Sequence, residues 1–129
     1  MEPTHENINN LRQALLDLHK LLLNYQQRLY EEKHGPVGQP AKLFELVLNN
    51  SEFEWLRRLS ELIVGLDGLL EQDNASRAEE IKKFFLFASK LLIAQEEDNA
   101  FKRHYILALQ TDPAVAIAHG KVKDFLDIG

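Results

Sequence analysis

Apolar positions recur at alternating steps of three and four from Ile8 through Leu11, Leu15, Leu18, Leu22, Tyr25 and Leu29, with neither Pro nor Gly between them. A repeat of about 3.5 residues sustained over this length predicts one long first helix. Its apolar seam must be covered by other helices or by a second subunit. Thr4 is placed to cap the helix, and Gly35-Pro36 stops it near His34, because Gly supplies a left-handed cap and Pro cannot continue the turn. The run GPVGQP reads as a linker. Pro40, at a first helical position, then opens a short second helix with Leu43, Phe44, Val47 and Leu48 as its apolar face.

Ser51-Glu52-Phe53-Glu54 has the form of a capping box, so a third helix is expected from about Glu52. It carries two stripes, Trp55, Leu59, Leu62, Leu66, Leu69 and Leu56, Ile63, Leu70, which predict the most buried element of the fold. Gly65 and Gly68 interrupt these stripes at about 1 kcal/mol each in helix propensity, a cost that the close approach of a neighbouring helix would offset. A turn at Gln72-Asp73-Asn74 and a second capping box at Ser76 to Glu79 start helix four, with Ile81, Phe84, Phe85, Ala88 and Leu92 inward. The pattern turns acidic around Gln95 to Asn99, which predicts a break before Phe101, Tyr105, Ala108 and Leu109. Asp112-Pro113 restarts the chain in a last helix with Val115, Ala118, Val122 and Phe125 inward.

The expected fold is therefore all-α: a single-domain helical bundle over residues 1–129, with five or six helices and a long first helix. Helix one, helix three and the last helix supply the core, with Leu18, Leu22, Leu59, Ile63 and Val122 buried and Trp55 shielded. At 129 residues and 45% apolar content there is room for one core and no second domain. The absence of Cys removes disulfides, thiolate nucleophiles and thiolate metal sites together. Basic residues are dispersed against a net charge of −5, which disfavours nucleic acid as a partner. No apolar run approaches the length of a membrane span, and the opening MEPTHENINN has neither the basic nor the apolar region of a secretory signal, so no membrane association and a cytoplasmic location are expected.

Chemistry is harder to find. Glu31 and His34, at i and i+3, have the spacing of a carboxylate-imidazole metal pair on one helical face. The other Glu-x-x-His, at Glu2 and His5, would lie about 44 Å away along the same helix at 1.5 Å per residue. One subunit cannot join the two, and the plain reading of His34 is a favourable charge at a helix C-terminus. His19 sits inside the long helix like the phosphoacceptor of a histidine phosphotransfer bundle, but Leu22 and Leu23 stand where the Lys and Gly of that pattern belong. The first substitution removes the cation for a phosphoryl group and the second crowds the docking face. His104 and His119 are lone helical histidines, candidates for haem or metal only with a partner that the sequence does not indicate. Tyr25, Arg28, Glu31 and Arg57 are the candidate ligand-binding set: if helices one and three are neighbours, Arg57 pairs with Glu31 at the bundle rim or anchors a carboxylate or phosphate there.

Glu32-Lys33-His34-Gly35-Pro36-Val37, followed by Phe53-Glu54-Trp55-Leu56-Arg57-Arg58-Leu59-Ser60-Glu61-Leu62-Ile63, resembles a group of small uncharacterised bacterial all-helical proteins. The resemblance implies a helical bundle in a bacterial cytoplasm and no activity, cofactor or catalytic residue. The role expected is non-enzymatic, in protein interaction or regulation as a homodimer with helix one at the interface. A bundle binding a small ligand or a metal ion is the alternative, and a histidine phosphotransfer protein the third reading.

Overall fold

Thr4 caps the first helix as its sequence position predicts, its Oγ1 accepting from the Asn7 amide at 3.1 Å. The computed structural model describes residues 4–72, 77–93 and 99–127, and among these it has six α-helices and no strand. They are α1 (His5–His34), α2 (Pro40–Asn49), α3 (Arg57–Glu71), α4 (Arg77–Leu92), α5 (Ala100–Thr111) and α6 (Pro113–Leu126), with a 3-10 helix (Ser51–Leu56) leading into α3. The expected all-α bundle with a long first helix is the fold. Glu2, the turn at Asp73-Asn74, the cap at Ser76 and the acidic run from Gln95 to Asp98 lie outside the described residues. α4 and α5 are separate helices, and the Asn99 side chain caps the second by accepting from the Lys102 amide at 2.9 Å. Asp112 and Pro113 open α6 as expected, Asp112 Oδ1 accepting from the Ala114 amide at 3.0 Å.

The seam of α1 is covered within one chain. Leu11, Leu15, Leu18 and Leu22 are each 0% exposed, packed chiefly against α6 and α3. Burial of this completeness contributes roughly 1.5–3 kcal/mol per side chain. Leu59, Ile63, Val122 and Trp55 join the same core, as expected. With the seam filled from inside, helix one loses its reason to sit at a dimer interface. The buried stripe also drifts: beyond Leu22 it continues to Gln26, 4% exposed, whereas Tyr25 and Leu29 are only half-buried.

Three polar pairs at heptad spacing fix how α1 lies along α3. Arg12 pairs with Asp67, His19 Nε2 meets Ser60 Oγ at 2.8 Å, and Gln26 Oε1 accepts from Trp55 Nε1 at 2.8 Å. Ascending partners on α1 meet descending partners on α3, so the helices run antiparallel. Fewer residues cover the last step because a 3-10 segment rises about 2.0 Å per residue rather than 1.5 Å.

Four local expectations need correcting. Asn50, not Ser51, caps the 3-10 helix, its Oδ1 accepting from the Glu52 amide at 2.8 Å, so no capping box forms there. α2 turns Leu43, Leu46 and Val47 toward the core, while Phe44 and Leu48 are 66% and 51% exposed. That difference follows from the position of α2 on the outside of the 3-10 helix, where one side only has a neighbour. α3 is not the most buried element: Val64 is 69% exposed. A Cβ built on Gly65 or Gly68 meets no atom within 4 Å, so among the described residues no helix makes the close approach expected there.

Two substitutions test this account. Gln26→Leu leaves the Trp55 indole N–H buried without an acceptor and is expected to cost about 1–3 kcal/mol in urea denaturation. Gly120→Ala, inside α6 where an added methyl meets nothing within 4 Å, is expected to raise stability by about 0.5–1 kcal/mol. A loss of stability in the second variant would mean that α6 is packed more tightly than described.

Candidate functional site

Glu31, His34, Arg28 and Arg57 each have a local structural partner. Glu31 Oε2 accepts from the Val37 amide at 2.9 Å, holding the Gly35 to Gly38 turn and its buried Val37 against the end of α1. Both glycines have positive φ, 89° and 83°, which a side chain would strain. His34 Nε2 lies 2.9 Å from Glu52 Oε2, tying α1 to the start of the 3-10 helix. Arg28 reaches Asp112 Oδ2 at 2.6 Å, fastening α1 to the α5–α6 junction. Arg57 donates to the Leu48 carbonyl at 3.4 Å, at the last turn of α2. Tyr25 is half-buried against the core. The expected Arg57–Glu31 pair is therefore absent among the described residues: a carboxylate needed by the turn is not left for a guanidinium. Glu31 and His34 likewise point to different partners, and no group of three or more metal-ligating side chains occurs among the described residues.

His19 is turned into the α1–α3 contact, with its Nε2 held by Ser60. Burial lowers its pKa, so the ring is neutral at physiological pH. That places the nitrogen a phosphotransfer histidine would use inside a helix–helix contact rather than on a docking face. His104 stacks on Trp55 with centroids 5.2 Å apart and planes at 15°. Its pKa is lowered by burial and by neighbouring Arg103.

The densest chemistry lies between α5 and α6. Tyr105, 0% exposed, places its hydroxyl 2.6 Å from His119 Nδ1. Burial pushes the phenol far above its ordinary pKa, so it stays protonated and donates. His119 is driven toward the neutral form by burial, then by the charges of Lys123 and Lys102. The hydrogen-bonded tautomer therefore has Nδ1 as acceptor and keeps its proton on Nε2. Lys102, only 5% exposed, extends to the Lys90 carbonyl at 3.3 Å, in the last turn of α4, where a cation is favoured by the helix dipole. Lys102, Tyr105 and His119 all line a cavity of about 470 Å³, whose other walls are Leu92, Ile93, Ile106, Leu109 and Gln110.

This combination has the size and character of a small-molecule site: mostly apolar walls with a few converging polar groups in a volume of about 300–1,000 Å³. No acidic side chain lines it among the described residues. Lys102 and Tyr105 were missed from sequence because both fall on the inward side of a helix already explained as amphipathic. The available signal was Tyr105 and His119 on consecutive helices joined at a tight Asp112-Pro113 corner. No family model matches the chain, and no curated protein and no solved structure matches it either. Among the described residues no helix is long and apolar enough to cross a membrane.

The three depressed histidines give a stability profile. In each, the folded state holds its proton more weakly than the unfolded chain, whose histidines titrate near 6.5. The unfolded state therefore binds more protons as pH falls through about 6.5, and stability, complete above that value, declines below it. Urea denaturation at neutral and mildly acidic pH is expected to show this decline, and His119→Gln to make it shallower.

Proposed function

We propose that the protein is a non-enzymatic binding protein for a small organic anion with an apolar body, held in the cavity between α5 and α6. The observation that carries this reading is the convergence of Lys102 and the Tyr105–His119 pair on one otherwise apolar cavity. The imidazole offers Nε2–H, and Ile106, Leu109 and Leu92 suit a short hydrocarbon. Binding is favoured over catalysis because the Tyr105 hydroxyl and His119 Nδ1 satisfy one another, which orients the ring rather than activating a nucleophile. Homodimerisation belongs to the same reading. It is supported by large apolar side chains left on the surface, with Val64 and Leu86 69% and 65% exposed. A cytoplasmic protein acting as a ligand-responsive partner of another protein is the broader role that fits.

Hexanoate, hexanol and hexylamine share one chain and differ in the head group. Hexanoate is expected to raise the melting temperature with the logarithm of its concentration above Kd, amounting to about 2.7 kcal/mol of stabilisation at a hundredfold excess over its Kd. His119→Leu, which removes the Nε2–H donor to a charged head, is expected to weaken that Kd about tenfold. Equal shifts from hexylamine, or none from any of the three, would rule the proposal out.

A further inference from the structure

α4 turns Phe84 and Phe85 into the core and leaves Lys82, Lys83, Leu86, Phe87 and Lys90 exposed on its other side. We propose that this face docks on an anionic lipid surface, with Leu86 and Phe87 entering the head-group layer and the three lysines meeting lipid phosphates and carboxylates around them. The inference is independent of the ligand cavity. It assigns Leu86 to lipid and leaves Val64 and the other exposed apolar side chains for a contact between copies.

The spacing puts positive charge around each apolar side chain. Residues three and four apart are neighbours on a helix surface, so Leu86 has Lys82 and Lys83 one turn before it and Lys90 one turn after. Phe87 has Lys83 before it and Lys90 after. Leu86 and Phe87 are 65% and 51% exposed, and none of the three lysines is in an ion pair within the described residues. Glu79, in the first turn, is the one exposed acidic residue of the helix, so this face is positive on a chain whose formal charge is −5. Charges more than about 8 Å away are largely screened at physiological ionic strength, which leaves the local excess to decide what approaches. Beside Phe87 the α3–α4 groove holds Arg58, Glu61 and Glu80. Both carboxylates are on stems shorter than a lysine's, so a plane resting on Leu86 and Phe87 meets the ammonium groups first.

The composition of the face selects lipid over a folded partner. Among its exposed residues from Lys82 to Lys90 there is no amide or hydroxyl, so it offers charge and apolar depth without groups to direct a hydrogen-bonded fit. A fluid layer of anionic head groups over hydrocarbon asks for those two properties alone. The four-carbon lysine stem lets each ammonium stay among the head groups while Leu86 and Phe87 go deeper. Docking of this kind lays a helix along the interface and needs no spanning segment, and it departs from the expectation of no membrane association.

Sedimentation of the full chain with sucrose-loaded vesicles tests the proposal. Vesicles of phosphatidylcholine with about one-third phosphatidylserine are expected to carry the protein down at about 0.1 M salt and to release it at about 1 M, where charge attraction is screened beyond about 3 Å. Vesicles of phosphatidylcholine alone are expected to leave it in solution. Lys82→Gln with Lys83→Gln should weaken partitioning at least about tenfold, and Leu86→Ser with Phe87→Ser about tenfold. Lys20→Gln with Lys121→Gln removes two exposed, unpaired charges from α1 and α6 and should change it less than about twofold. All of these positions are solvent-exposed, and circular dichroism checks that each variant stays helical. Equal sedimentation with both vesicle types, or none with either, overturns the proposal. So do equal losses from the two lysine pairs, or indifference to the Leu86 and Phe87 changes. Binding to soluble polyglutamate that matches the vesicles and ignores those two apolar changes gives the face to an acidic polypeptide and overturns the lipid assignment.

Discussion

The hydrogen bond from the Trp55 indole to Gln26 is the contact on which the rest of the structure depends. Leucines on a seam repeating every three and four residues attract without direction, and a helix of this kind sliding by one heptad would bury nearly the same area. Polar pairs remove that freedom. Arg12–Asp67 is more than a third exposed on both sides and is the weakest of the three for that reason. His19–Ser60 is half-buried. Gln26 and Trp55 are 4% and 6% exposed, and a slip that parted them would leave a donor and an acceptor without water, at about 1–3 kcal/mol for each group. A difference of that size is enough to choose one register among several of similar apolar area.

From Trp55 the order passes toward the cavity through rings. Trp55 contacts Phe101 with centroids 5.8 Å apart and stacks on His104 at 5.2 Å. Phe101 stacks in turn on Tyr105 at 5.4 Å, and Tyr105 holds His119 through its hydroxyl. The 3-10 helix, α5 and α6 are thereby linked in one aromatic file that begins at the register-setting bond and ends on the cavity wall. Aromatic pairs of this kind add about 0.5–1.5 kcal/mol beyond their buried area, and they do so only in restricted orientations. The cavity wall and the fit of α3 against α1 therefore share a rigid path. The lone tryptophan sits at its far end, where its emission can report on both.

How much of this could be read from the chain depends on which physical signal each part uses. Thr4, Asp112-Pro113 and the spacing of Leu11 to Leu22 act locally or periodically, so the helices and the core they define were legible. Ser51 and Asn50 compete for the same cap one residue apart, and the sequence favours either; the 3-10 geometry of the next turn decides for Asn50. Phe44 and Leu48 read as core because pattern records hydrophobicity and not the supply of neighbours. Gln26 was invisible as a core residue, since a polar side chain becomes acceptable there only through an indole nearly thirty positions away. Glu31 and Arg57 carry the right charges for a pair, but a backbone amide in the adjoining turn claims the carboxylate first. Long-range polar partnerships are set by tertiary geometry, and that is why the candidate site was sought at one end of α1 and found between α5 and α6.

The distribution of these partnerships separates scaffold from site. Asp112 caps α6 with one carboxylate oxygen and receives Arg28 with the other, while Glu52 receives both Lys33 and His34. Such contacts join element to element at the rim, where solvent screens them and each contributes little alone. Lys102, Tyr105 and His119 differ because they are drawn inward, to the wall of a cavity, at an energetic cost that rim positions avoid. Tyr105 and His119 offset that cost by pairing, and the pairing fixes a tautomer whose remaining proton is on the ring's other nitrogen. A bundle of this size could have closed the same corner with apolar side chains of similar shape at little loss of stability. That it holds a phenol, an imidazole and an ammonium there sets polar groups on a cavity wall where apolar side chains would also have packed.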